Sequence, residues 1–356
     1  VRAASITAAE WGTMPDGRTI QLFTLTGASG LQARITNYGA RIVNLFVRDR
    51  KGAETDVELG YDDAASYQKG GVFGAMIGRF AGRIGKGGSF PLDGKTVQLE
   101  KADPAAKFVI HGGTAGFARK LWRAQMRDGA EPSLVLTLVS PDGDGGFPGE
   151  LTATVTYTLT RNNELRADYR ATSDRRTIVN LMNHSYFALQ GEGNGDISNQ
   201  TLQVFADKYL VQDADNLITG DVAPVDGTPL DFRHPVRLGD VLNSPFDQIA
   251  MRKGLDSPVV INGKPGTLRP AAKLHDPETG ITMSVSTTQP LIHLYGDGVG
   301  ARTQIGKGGK TYRNFYSMSL ETENYIDAPN HPNFPPSEVA PGRPYHETTV
   351  FGFSRD

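Results

Sequence analysis

The sequence predicts an all-β protein built as a large antiparallel β-sandwich. Segments of alternating polar and apolar residues recur along the chain, turn signals separate them at short intervals, and helical periodicity is scarce. The 42 glycines and 21 prolines fall in clusters between these segments, where they act as punctuation. No linker or fixed-period repeat interrupts the pattern. Residues 1–356 therefore read as one domain of two packed sheets.

In chain order, residues 18–26, 31–37 and 42–49 read as strands. Residues 62–69 carry the one short helical pattern. Residues 89–100 hold Asp93-Gly94 between two β runs, a strong hairpin signal. Residues 133–140 form another strand. Residues 151–172 are the clearest hairpin, with arms LTATVTYTLT and ELRADYRAT around Arg161-Asn162-Asn163. The stretch AAKLHDPETGITMSVSTT repeats the arrangement, turning at 276–280.

Composition removes several function classes. Hydrophobic residues make up 38% and charged residues 21%, and the formal net charge is -2, so nothing steers the chain toward nucleic acid or an anionic membrane. No apolar run approaches the ~18–20 residues of a membrane span. A small neutral ligand suits this balance. Cysteine is absent, which excludes disulfides, a thiolate nucleophile and Cys-ligated metal. None of the seven histidines has H-x-x-x-H or H-E-x-x-H spacing, no G-x-S-x-G elbow occurs, and no P-loop closes the glycine-rich run 74–88. The lack of cysteine and the start at Val1 suggest a periplasmic or otherwise exported protein, with the cytoplasm as the alternative.

Five segments could carry chemistry. In 177–189, TIVNLMNHSYFAL, an apolar and buried-looking strand contains Asn183-His184. His184 reads equally as a hydrogen-bonded core histidine or as a cleft residue able to move a proton near neutral pH. In 314–325, NFYSMSLETENY, alternation puts Ser317, Ser319, Glu321 and Glu323 on one face. Glu321 sits there among small hydroxyl side chains, with Glu323 as its local competitor. A strand carboxylate on a solvated face is the plainer alternative. Arg79 and Arg83 in the glycine-rich run offer multi-donor forks for oxygen-rich ligands, or are surface arginines. His111 precedes Gly112-Gly113, and Asp256 lies in what reads as a loop.

These segments, in this order, resemble the aldose 1-epimerase family from about residue 36 to 353. The resemblance rests on Asn37-Tyr38-Gly39-Ala40, Gly78-Arg79-Phe80-Ala81-Gly82-Arg83-Ile84, His111-Gly112-Gly113, Asn183-His184-Ser185-Tyr186-Phe187, Gln289-Pro290, Leu320-Glu321-Thr322 and the tail DAPNHPNFPPSEVAPG. It implies a β-sandwich that interconverts the anomers of a free aldose such as glucose or galactose without cofactor or metal. Glu321 falls on the family's general base and His184 on its general acid. Arg83, His111, Asp256 and Gln289 fall on sugar-contact positions. Partners would be a monosaccharide only, with no nucleic acid and no membrane, on a monomer or weak homodimer. The chain departs from the family pattern at Gly82, where Asn is common, at Leu255 and Ser257 around Asp256, at Ala118, and at Ala188 and Gln190. These positions touch sugar preference more than the acid–base pair. Three other readings fit the same residues: a glycoside hydrolase using Glu321 and Asp256, a non-catalytic carbohydrate-binding sandwich, and a sugar-phosphate epimerase relative that would employ Arg79, Arg119 and Lys120.

Overall fold

A computed structural model describes residues 3–296 and 304–356. Three antiparallel sheets dominate. The first is a five-stranded meander, Ser5–Thr13, Thr19–Thr26, Gln32–Thr36, Arg41–Arg48 and Glu54–Asp56, paired in chain order. The second has nine strands. Its centre runs from Ser133–Ser140 through Leu151–Leu159 and Glu164–Ser173 to the final strand Tyr345–Arg355, then to Ile281–Thr287 and Arg269–His275. The third sheet orders Ile218–Pro224, Ala206–Gln212, Leu255–Ile261, Leu291–Gly296 and Met318–Glu323.

Alternation explains why the nine-stranded sheet forms. Along Leu151–Leu159 every odd residue is buried and every threonine between them is partly exposed. The same rhythm continues in Glu164–Ser173, its hairpin partner. One apolar cluster draws on all three sheets, including Leu25 and Leu45, Val155 and Phe351, and Leu294 and Leu320. The hairpin at Asp93-Gly94 forms between Ser89–Leu92 and Lys95–Gln98, with both turn residues at positive φ as a tight primed turn needs. The helical pattern becomes Ala64–Gln68, started by the Asp63 carboxylate accepting from the Ser66 amide at 2.7 Å.

Two expectations change. The segment 177–189 is not one strand: Thr177–Ile178 and Met182–His184 form two short strands, each in its own two-stranded sheet, and Asn180 and Phe187 make isolated bridges. Asp256 is not in a loop but is the second residue of the strand Leu255–Ile261. Buried apolar residues on both sides of a short segment erase the alternation by which a strand is recognised, so length and ends cannot be read from it.

Candidate active site

The third sheet makes the floor of a cavity of about 280 Å³. Register decides what the floor presents. His293 lies directly opposite Glu321, Tyr295 opposite Ser319 on one side and Asp256 on the other, and Leu291 opposite Glu323. Side chains two residues apart share a face, and diagonal neighbours on adjacent strands remain within reach of long side chains. Asp256, His293, Glu321 and Glu323 therefore converge on one surface, and all four line the cavity.

The opposite wall comes from short, glycine-rich pieces. Met182–His184 pairs with Ala75–Ile77. Asn183 points away from the cavity and is pinned there: its Nδ2 donates to Gly74 O at 2.9 Å and to Tyr157 Oη at 3.3 Å, and its Oδ1 accepts from the Ser185 amide. Anchoring Asn183 leaves His184 facing the cavity. The His184 ring stacks on Tyr186, with centroids 4.8 Å apart, and meets Tyr295 edge-on.

Arg83 and His111 arrive together, because Arg83–Ile84 pairs with Val109–Ile110. His111, Gly112 and Gly113 all have positive φ, at 53°, 84° and 62°. A β-carbon on Gly112 would sit 2.0 Å from the Gly78 carbonyl oxygen, so no other residue fits. The Gly82 amide donates to His111 Nδ1 at 3.1 Å. A neutral ring with Nδ1 accepting must carry its proton on Nε2, which makes His111 a hydrogen-bond donor to a ligand. Burial holds His111 neutral by pushing its pKa well below the usual value, and charge on His184 and Arg83 adds to this. Gly82 itself has φ of 80°, a backbone conformation that glycine and asparagine adopt most readily.

His184 Nε2 and Glu321 Oε1 stand 3.4 Å apart, both side chains almost fully buried. Burial lowers the His184 pKa to about 3. It also raises Glu321 well above the ordinary carboxyl range, helped by the neighbouring Glu323 and Asp256 carboxyls. Asp256 goes the other way. Burial alone would raise it, but the hydrogen bond with His293 Nε2 at 2.5 Å and the charge of Arg83, whose Nη2 is 3.6 Å from Oδ2, hold it far below the usual range.

Of the six residues expected at the site, five meet here: His184, Glu321, Arg83, His111 and Asp256 all line the cavity. Gln289 does not. It is fully buried, two residues ahead of the strand Leu291–Gly296, and its amide donates to Tyr345 Oη at 2.7 Å and to Leu181 O. Its place on the floor is taken by His293, four residues on. Arg79 is also buried, spending its guanidinium on Ser140, Pro141 and Pro148. Arg119 donates to Gly113 O, and Lys120 pairs with Asp144. Among the described residues, the sugar-phosphate reading thus has only Arg83 at the cavity. His293, Tyr295 and Asn216 were missed. A lone histidine in the apolar run LIHLYG was the available signal for the first.

A β-sandwich floor bearing carboxyls, faced by neutral imidazoles and the Arg83 guanidinium, is the arrangement of an acid–base enzyme for a hydroxyl-rich ligand. The family profile described as "Aldose 1-epimerase" matches residues 21–352. The chain is 39% identical to a human protein named galactose mutarotase, over 99% of both chains. It is 33% identical to the aldose 1-epimerase of Escherichia coli (strain K12), over 95% of this chain and 96% of that one. The crystal structure of galactose 1-epimerase from Lactobacillus acidophilus superposes with a TM-score of 0.86 at 27% identity, covering 99% of each chain. The chain belongs to the aldose 1-epimerase family. It is an isomerase that interconverts the anomers of an aldose, and these relatives favour neither the hydrolase nor the non-catalytic alternative.

Proposed function

We propose that this mutarotase acts on free galactose and glucose, with Glu321 and His184 as its proton-transfer pair. The observation that carries the assignment is their approach to 3.4 Å inside the cavity. Glu321 as carboxylate takes the proton of the anomeric hydroxyl while His184 as cation protonates the ring oxygen. The C1–O5 bond breaks, rotation about C1–C2 turns the aldehyde, and reclosure reverses both transfers. Asp256 accepts from sugar hydroxyls, while Arg83 and His111 donate, fixing the ring against the pair.

The electrostatics fit one half of this cycle in particular. Once the ring has opened, Glu321 holds a proton and His184 is neutral. Burial favours those same two forms. The protein side of the open-chain intermediate is thereby stabilised relative to the ion pair that flanks the closed ring, and stabilisation that grows along the reaction coordinate lowers the barrier.

Polarimetry of freshly dissolved α-galactose and α-glucose tests the reading. Glu321→Gln and His184→Asn should each slow catalysed mutarotation by about 10²–10⁴-fold, with the circular dichroism spectrum unchanged. A near-native rate in either folded variant would sink the assignment.

A further inference from the structure

The cavity holds one carboxyl more than mutarotation consumes. Glu323 lies two residues beyond Glu321 on the same face of the floor and lines the same cavity, with its side chain 1% exposed. Its Oε2 accepts from Asn180 Nδ2 at 3.4 Å, and its Oε1 has no hydrogen-bond partner. A buried oxygen left without a partner, on the wall of a ligand cavity, is a place where a ligand hydroxyl completes the bonding.

His293 ties this carboxyl to the sugar-facing acceptor. It stands diagonal to Glu323 across the strand pair, with Nδ1 3.7 Å from Glu323 Oε1 and Nε2 2.5 Å from Asp256 Oδ1. Asp256 is ionised and can only accept, so Nε2 carries the hydrogen and Nδ1 turns toward Glu323.

We propose that Glu323 is a third working carboxyl of this cavity: kept protonated and linked through His293 to Asp256, it donates a hydrogen bond to a ring hydroxyl of the bound aldose while Asp256 accepts one. The proposal rests on the cavity being an aldose site and not on the roles given to His184 and Glu321. The titratable groups facing Glu323 are Glu321 on its own strand, His293 and Asp256 on the next two strands, Arg83 and His184 on the opposite wall, and Tyr345 behind. Burial raises the Glu323 pKa to about 8, against the opposing influence of Arg83 and the Asn180 hydrogen bond. Below that pH the group is a donor; above it the donor is lost and a second charge appears beside Asp256.

Binding of 1,5-anhydroglucitol, a pyranose that lacks the anomeric hydroxyl and cannot open, separates this from turnover. Titration calorimetry should show affinity falling roughly tenfold or more between about pH 7 and about pH 9.5. Glu323→Gln, whose amide donates without titrating, should flatten that fall to less than about twofold. Glu321→Gln should keep it. A flat wild-type profile, or a fall that persists in Glu323→Gln and vanishes in Glu321→Gln, overturns the proposal. The Glu321→Gln profile decides on its own should Glu323→Gln fail to fold.

Discussion

At the residue scale, charge states are set by burial first and by specific partners second. Glu321 and Asp256 are both carboxyls on one sheet face, yet they are driven in opposite directions, because only Asp256 has an imidazole at 2.5 Å. For the proposed proton-transfer role, the consequence is a pH profile that belongs to the His184–Glu321 pair as a unit. The pair works when it holds one proton. Acidification adds a second as His184 charges, with its pKa lowered to about 3, and alkali removes the last from Glu321, whose pKa is raised. We therefore expect kcat/KM to stay level across neutral pH and to fall only in strong acid and in alkali. Steady-state polarimetry across pH checks this. A single inflection near the ordinary histidine value would contradict it. Little of this was legible in the sequence. His184 and Glu321 looked as much like core and surface residues as catalytic ones until the ordered family motifs singled them out. Gln289 was drawn in by its motif, although a side chain outside the strand cannot follow the strand's face.

At the element scale, the hairpins were legible and the site-bearing pieces were not. Period-2 alternation over 151–172 and the Asp93-Gly94 turn each encode a solvated face and a buried face. The strands of the cavity floor have no such contrast: Met318–Glu323 is buried on both sides, with Leu320 in the core and Glu321 at the cavity. His293 was hidden for the same reason, since a polar residue flanked by Ile292 and Leu294 carries no sign of the register that sets it opposite Glu321. The turn 111–113 shows how narrowly local structure can constrain sequence. Gly112→Ala would force a β-carbon into the Gly78 carbonyl at a φ of 84°. The expected cost is roughly 2–4 kcal/mol of stability, read from a denaturation midpoint, together with lost activity as His111 and Arg83 shift. A stability change below about 0.5 kcal/mol would show that the turn relaxes.

At the scale of the whole molecule, the fold buries several titratable groups. Glu58, Glu321 and Glu323 all have pKa values raised by burial. A raised carboxyl binds more protons folded than unfolded, so its contribution to stability is present at low pH and is lost as pH rises from the unfolded value, near 4.5, to the folded one. For Glu323 that window closes at about 8. His111 and His184, with lowered pKa values, act in the opposite sense and only below the ordinary histidine range. Between about pH 6.5 and about pH 8 the lowered histidines no longer contribute, and on account of Glu323 stability should fall by about 1 kcal/mol per pH unit. The melting temperature measured over that range should decline, and Glu323→Gln should decline less steeply. A melting temperature that climbs through the window would show that these carboxyls ionise freely in the folded protein.

The division of the cavity between a paired sheet and glycine-rich turns has a bearing on how such an enzyme can diverge. Glu321, Asp256 and His293 are held in mutual register by continuous ladders, so shifting any one of them means shifting whole strands. Arg83 and His111 stand on a two-residue pairing, and Asn216 enters from the loop between two strands. Mutational drift or directed libraries can rework that loop-borne rim one residue at a time. Selectivity among epimeric sugars can then evolve there while the carboxyl-bearing floor passes unchanged from one descendant to the next.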